Sequence, residues 1–155
     1  MNREKLRAAY VRLCEDLEPT YFVTLATNQD GSIQGIRKSA KDFCGRVDRK
    51  LLGPDWAKKL AAYRTDGVFF IEHTRSNIHL HGLLRFPSGN PEGLRMTSAL
   101  VWKTICPSGT IDFQSIYDLP RGVSYCMKEL LLRGYSDEQF FLLRELMSEE
   151  AHQAI

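Results

Sequence analysis

The sequence predicts an α+β domain built around an antiparallel sheet. Runs of strand length, rich in aromatic and branched residues, alternate with stretches whose apolar residues recur at helical spacing. Two of the strand-like runs, "GVFFIEHT" and "IHLHGLLRF", are joined only by "RSN", which predicts a hairpin and therefore antiparallel pairing. No repeat, low-complexity segment or linker divides the 155 residues, so 1–155 reads as a single domain with room for a core.

The first element, residues 1–18, is an amphipathic helix with Leu6, Tyr10, Leu13 and Leu17 on one face, ended by Pro19. "YFVTLATN" follows as a strand, and "NQDGS" is a turn signal. Ser39 to Tyr63 reads as helix, interrupted at Gly53-Pro54. The hairpin comes next, then the loop "PSGNPEG" and a short helix at "LRMTSALVWK". "GTIDFQSIY" alternates as a further strand. "RGVSYCMKELLLR" is a helix closed by Gly134, and residues 136–150 form a last helix opened by a capping box from Ser136 to Gln139. Strand, helix, strand, strand, helix, strand is the ferredoxin-like, or RRM-like, order, with about five strands and flanking helices.

Bulk properties exclude several classes. No apolar run approaches the ~20 residues of a membrane helix, which predicts no membrane partner. "MNREKLRAAY" lacks the apolar core of a signal peptide. Cys14, Cys44, Cys106 and Cys126 are scattered with no Cys-x-x-Cys pair, against a zinc ribbon or disulfide framework and for a reducing cytoplasm. Net charge is only +2, yet nine Lys/Arg face three Asp between Gly31 and Arg64, while five Asp/Glu face one Arg from Asp137 onward. A basic segment of this kind suits a polyanion or a solvated helix face, and on charge alone the solvated face is preferred.

Three of the four histidines fall between Phe69 and Phe86. Side chains alternate along a strand, so His79 and His81 point one way while Ile78, Leu80 and Gly82 point into the core. Glu72, on the preceding strand, falls beside them if the hairpin pairs across its turn. Two nitrogens and a carboxylate oxygen then make a divalent-metal site with open positions. His73 is a rival third ligand if the strand ends before it. Downstream, Tyr125 and Lys128 are three apart in a predicted helix and share a face with Leu132, whereas Cys126 points elsewhere as packing. A phenol and an ammonium on one face suit phosphoryl chemistry, against the plainer reading of an edge tyrosine with a snorkelling lysine.

Together, "HLH" at 79–81, "YCMK" at 125–128 and "FVTLATN" at 22–28 resemble the three motifs of the HUH endonucleases, in that family's order and across about two thirds of the chain. Ala26 before Thr27 is a small departure from the first motif. The tyrosine follows the histidines and stands alone in its motif, which is similar to single-tyrosine replication initiators and to the related transposases. The resemblance implies a sheet with the histidine motif on a central strand, and metal-dependent nicking and joining of single-stranded DNA. Tyr125 would be the nucleophile assisted by Lys128, His79, His81 and Glu72 would hold Mn²⁺ or Mg²⁺, and the product would be a 5′-phosphotyrosine. It implies initiation of rolling-circle replication of a plasmid or phage in a prokaryotic cell, on single-stranded DNA or an origin hairpin, with a host helicase as partner. Arg37, Lys38, Lys41, Arg75 and Arg85 are the candidate DNA-contacting residues. Two other readings compete. A non-haem iron triad leaves Tyr125 and Lys128 unused, and a non-catalytic ferredoxin-like module would bind single strands through surface aromatics.

Overall fold

The computed structural model describes residues 2–87, 89–129 and 137–147. Helix α1 (Arg3–Asp16) leads into β1 (Tyr21–Ala26), α2 (Ile33–Leu52), the hairpin β2 (Asp66–Glu72) and β3 (His79–Arg85), α3 (Pro91–Ile105), β4 (Thr110–Ser115), α4 (Leu119–Cys126) and β5 (Phe140–Leu142). The five strands form one sheet in the order β4-β1-β3-β2-β5, every neighbouring pair antiparallel. Its first four strands have the ferredoxin-like order, and the histidine motif lies on the central strand, as expected.

The sheet has two apolar faces. Val23, Leu25, Phe69, Ile71, Leu80 and Leu84 meet α2 and α3 in the larger cluster. Val68, Phe70 and Leu83 meet α1 and α4 in the smaller one. Alternation along β3 therefore sends Leu80 to the first face and His79 and His81 to the second. In α1 and at its C-cap the packed residues are Leu6, Tyr10, Val11, Cys14 and Leu17. Cys14 is fully buried, and it takes the place that the spacing assigned to Leu13.

Helix α2 begins six residues before the expected Ser39. Ser32 is its N-cap, accepting from the Gly35 amide at 2.9 Å, and Gly53 ends it with φ +92°. Gly31 and Gly35 hid this start because glycine is a poor helix former, yet burial of Ile36 carries the first turns. Beyond Gly53 the expected helix dissolves into two short 3₁₀ turns, Trp56–Lys58 and Ala61–Tyr63.

The expected helix over 136–150 is corrected in part. A 3₁₀ turn, Asp137–Gln139, leads into β5, and helix resumes only over 143–147. Phe141 stacks on Phe69 at 5.2 Å on one face of the sheet, while Phe140 meets Tyr10 at 4.9 Å on the other. Adjacent residues reach opposite faces in a strand but not in a helix, so the open edge of β2 overrides helix propensity here. The expected helix stop at Gly134, the start of the capping box at Ser136, and Leu132 lie outside the described residues.

Candidate metal and nucleophile site

The site grows from the end of the hairpin. Pairing of β2 with β3 places Glu72 opposite His79 and Phe70 opposite His81. Glu72 is 1% exposed, although it sits at a strand end next to a turn. A buried carboxylate needs compensation. Its Oε2 lies 3.0 Å from His79 Nε2, 3.0 Å from His81 Nε2 and 3.4 Å from Lys128 Nζ. Burial pushes the Glu72 carboxyl up, but the contacts with His79 and His81 and the charges of His81 and Lys128 outweigh it, holding it at about 2.

The outer ring nitrogens are held as well. His79 Nδ1 lies 3.3 Å from the Asn77 carbonyl, which only accepts, so Nδ1 carries a proton. A neutral His79 would then turn the lone pair of Nε2 toward a carboxylate oxygen. Repulsion is relieved by a second proton or by a cation, and hydrogen bonding to Glu72 accordingly raises the His79 pKa above its ordinary value. His81 Nδ1 lies 3.0 Å from Thr24 Oγ1, on β1 directly opposite.

Donor chemistry fits a divalent ion. Glu72, His79 and His81 offer ligand atoms that all lie within 4.8 Å of one another. Glu72 Oε1 is buried without a hydrogen-bond partner, and His81 Nε2 meets only Glu72 Oε2, at 3.0 Å, an arrangement a cation would satisfy. Outer-nitrogen partners such as Thr24 Oγ1 and the Asn77 carbonyl are the usual supports of metal-bound imidazoles.

Tyr125 and Lys128 come to the same face. Asp118 caps α4 by accepting from the Arg121 amide at 3.1 Å, and buried Val123 and Cys126 seat the helix on the sheet. The Tyr125 ring lies 5.4 Å from His81 and 5.9 Å from Phe22, and it remains 52% exposed. Lys128 falls in the 3₁₀ turn Met127–Glu129 that continues α4, with Nζ 4.0 Å from the centre of the Tyr125 ring. Burial pulls the ammonium down, and the contacts with Tyr125 and Glu72 more than offset it, so Lys128 stays charged. Cys126 is 2% exposed, and burial first, then the Glu72 charge, raises its thiol well above the ordinary range, as befits packing.

His73 is not grouped with the histidine pair. The strand ends at Glu72, and His73 takes φ +54°, with its amide donating to the Glu129 carboxylate at 3.1 and 3.2 Å. Its ring lies 4.8 Å from that of His79, and with Glu72 and Glu129 it forms a second trio of ligand atoms. Thr24, Asn77 and Glu129 escaped the sequence reading. Thr24 had a signal, since it shares a strand face with Phe22 in "FVTLATN". Glu129 and Asn77 act through contacts that no local pattern encodes.

The basic residues scatter. Arg37, Lys38 and Lys41 are on α2, across the sheet from the histidines. Arg37 donates to the Glu138 carbonyl at 3.0 Å and lies 4.6 Å over Phe141, so it helps seat β5. Arg85 is at the far end of β3, reaching toward the Ala61 carbonyl at 3.5 Å. Arg75 is exposed in the turn beside Glu72 and His79. Among the described residues no helix is long and apolar enough to cross a membrane. All four cysteines are free and buried. Comparison with family models, curated proteins and solved structures finds no match for the chain.

Proposed function

We propose that the chain nicks and rejoins single-stranded DNA through a covalent bond to Tyr125, as the initiating nuclease of a rolling-circle replicon. One observation supports this above the others. A buried Glu72–His79–His81 cluster fit for a divalent ion shares one sheet face with a half-exposed phenol and a charged ammonium. The rival iron triad gives Tyr125 and Lys128 no task.

The chemistry assigns each group a part. Bound by Glu72, His79 and His81, Mn²⁺ or Mg²⁺ would supply a Lewis acid for the scissile phosphate oxygens. The outer nitrogens of the two imidazoles are fixed by Thr24 and the Asn77 carbonyl, which orients Nε2 of each ring toward Glu72. Tyr125 Oη attacks phosphorus. An O–P bond to tyrosine forms, the P–O3′ bond breaks, and the departing oxygen takes a proton from solvent to leave as a 3′-hydroxyl. The phenolic proton passes to solvent on the exposed side of the ring. Lys128, held as an ammonium, neutralises phosphoryl charge. One phosphoester replaces another, so an incoming 3′-hydroxyl reverses the step and rejoins strands.

Incubating the protein with a labelled single-stranded DNA library and Mn²⁺, then running a denaturing gel, tests this. A covalent adduct is expected with the native chain and none with Tyr125→Phe. An adduct that persists in Tyr125→Phe moves the nucleophile elsewhere, and strong binding that ignores chelator, with no adduct, favours the non-catalytic module.

A further inference from the structure

A groove of about 520 Å³ opens beside Tyr125 and His81, between α4 and the edge strand β4. Its walls include Phe22, Asp112, Gln114, Tyr117, Arg121 and Tyr125. Strand pairing explains how they meet. Asp112 lies opposite Thr24, which lies opposite His81, so one row of side chains runs from the sheet edge to the histidine cluster. Gln114 lies opposite Phe22 in the next row of that face. Tyr117, in the link between β4 and α4, is 96% exposed.

We infer that this groove seats one nucleobase of the DNA strand beside the scissile phosphate, and that it prefers a base with an exocyclic amino group over thymine. The inference rests on the nicking reading, and deepens it. A volume of this size is that of a small-ligand cleft and admits a nucleotide. An aromatic ring left almost wholly in water offers a stacking platform, and the Phe22 and Tyr125 rings line the same groove. Arg121 precedes Tyr125 by one helical turn, which puts a guanidinium on the nucleophile's side of the helix for the neighbouring phosphate.

Base preference follows from the polar floor. Gln114 Nε2 donates to Asp112 Oδ2 at 2.8 Å. That bond uses one of the two amide hydrogens, so acceptors outnumber donors on the floor: the glutamine carbonyl and the remaining carboxylate lone pairs against a single free amide N–H. Amino groups of cytosine and adenine satisfy such acceptors, whereas the thymine carbonyl at the same edge opposes them.

Fluorescence anisotropy in EDTA, which prevents cleavage, reads the groove directly with labelled oligo-dC, oligo-dA and oligo-dT of one length. Oligo-dC and oligo-dA are expected to bind about tenfold tighter than oligo-dT. Tyr117→Ala should weaken all three by about tenfold, the scale of one lost base–aromatic stack. Asp112→Asn adds a donor and should erase the preference against oligo-dT. Equal affinity for the three probes, unchanged in both variants, overturns the inference. The adduct assay on the same proteins separates it from the catalytic reading. A preference that depends on Asp112 and Tyr117 without any adduct leaves the groove standing and nicking refuted. An adduct with no base preference does the reverse.

Discussion

At Glu72 three positively polarised neighbours share one carboxylate oxygen, and the other oxygen has none. A buried carboxylate oxygen left without a partner is costly, and a divalent ion is one group that would satisfy it. The supports of the imidazoles should therefore matter nearly as much as the ligands. Thr24→Val preserves shape and removes the oxygen 3.0 Å from His81 Nδ1. Isothermal titration with Mn²⁺ should show affinity ten- to hundredfold lower in this variant, with an unchanged circular dichroism spectrum. Unaltered affinity would mean that His81 needs no orienting partner. At this scale the sequence was partly legible. Alternation alone put His79 and His81 on one face, because side-chain direction in a strand is a local property. The 3.0 Å approach of Glu72 to both rings was not legible, because it depends on hairpin register.

Two elements carry testable consequences. Strand β5 is held by Phe141, 1% exposed, stacked on Phe69 and covered by Arg37. Phe141→Ala should cost ~3–5 kcal/mol in urea unfolding, the usual loss for a core phenylalanine. A loss below ~1 kcal/mol would argue against this strand. Helix α2 is tied to the start of β2 through Asp48, 1% exposed, whose carboxylate accepts from the Thr65 amide at 3.0 Å. Burial raises the Asp48 carboxyl from 3.8 to about 6, against the pull of Thr65 and Arg64. Between those values the folded chain holds a proton that the unfolded chain has released. Stability contributed by this group therefore falls as pH rises through the window, by ~2–3 kcal/mol. Asp48→Asn should flatten that part of the stability–pH curve, and a curve identical to the native one would refute the assignment. Most element types came from periodicity, but β5 and several boundaries did not. The start of α2 was masked by Gly31 and Gly35, and β5 by residues that form helices elsewhere.

Across the whole molecule, the sheet divides labour. One face, under α2 and α3, is an apolar core with Trp102 and Phe43 edge to face at 6.1 Å. The other packs less apolar mass and hosts the cluster beside Tyr125 and Lys128. Anything that binds only the folded cluster stabilises the whole chain by mass action. Mn²⁺ at a hundredfold its dissociation constant should add ~2.7 kcal/mol and raise the melting temperature. His79→Ala and His81→Ala should melt at temperatures that no longer respond to Mn²⁺. A response retained in both would place the ion elsewhere.

The sequence by itself determined what depends on near neighbours. It set most strand and helix types (though not β5), the shared face of His79 and His81, and the burial of Leu80 and Cys126. Repeat spacing along the backbone dictates these before any long-range contact forms. Only the tertiary structure decided what depends on distant partners. Pairing of β2 with β3 delivered Glu72 to the histidines, and the seating of Val123 and Cys126 turned α4 so that Tyr125 and Lys128 reached that same face. The same partition sent the basic residues of α2 to the opposite face, because Ile36, Ala40 and Phe43 had to be buried there. Burial of apolar area is blind to charge pattern, so a basic run in the sequence is placed by its hydrophobic neighbours.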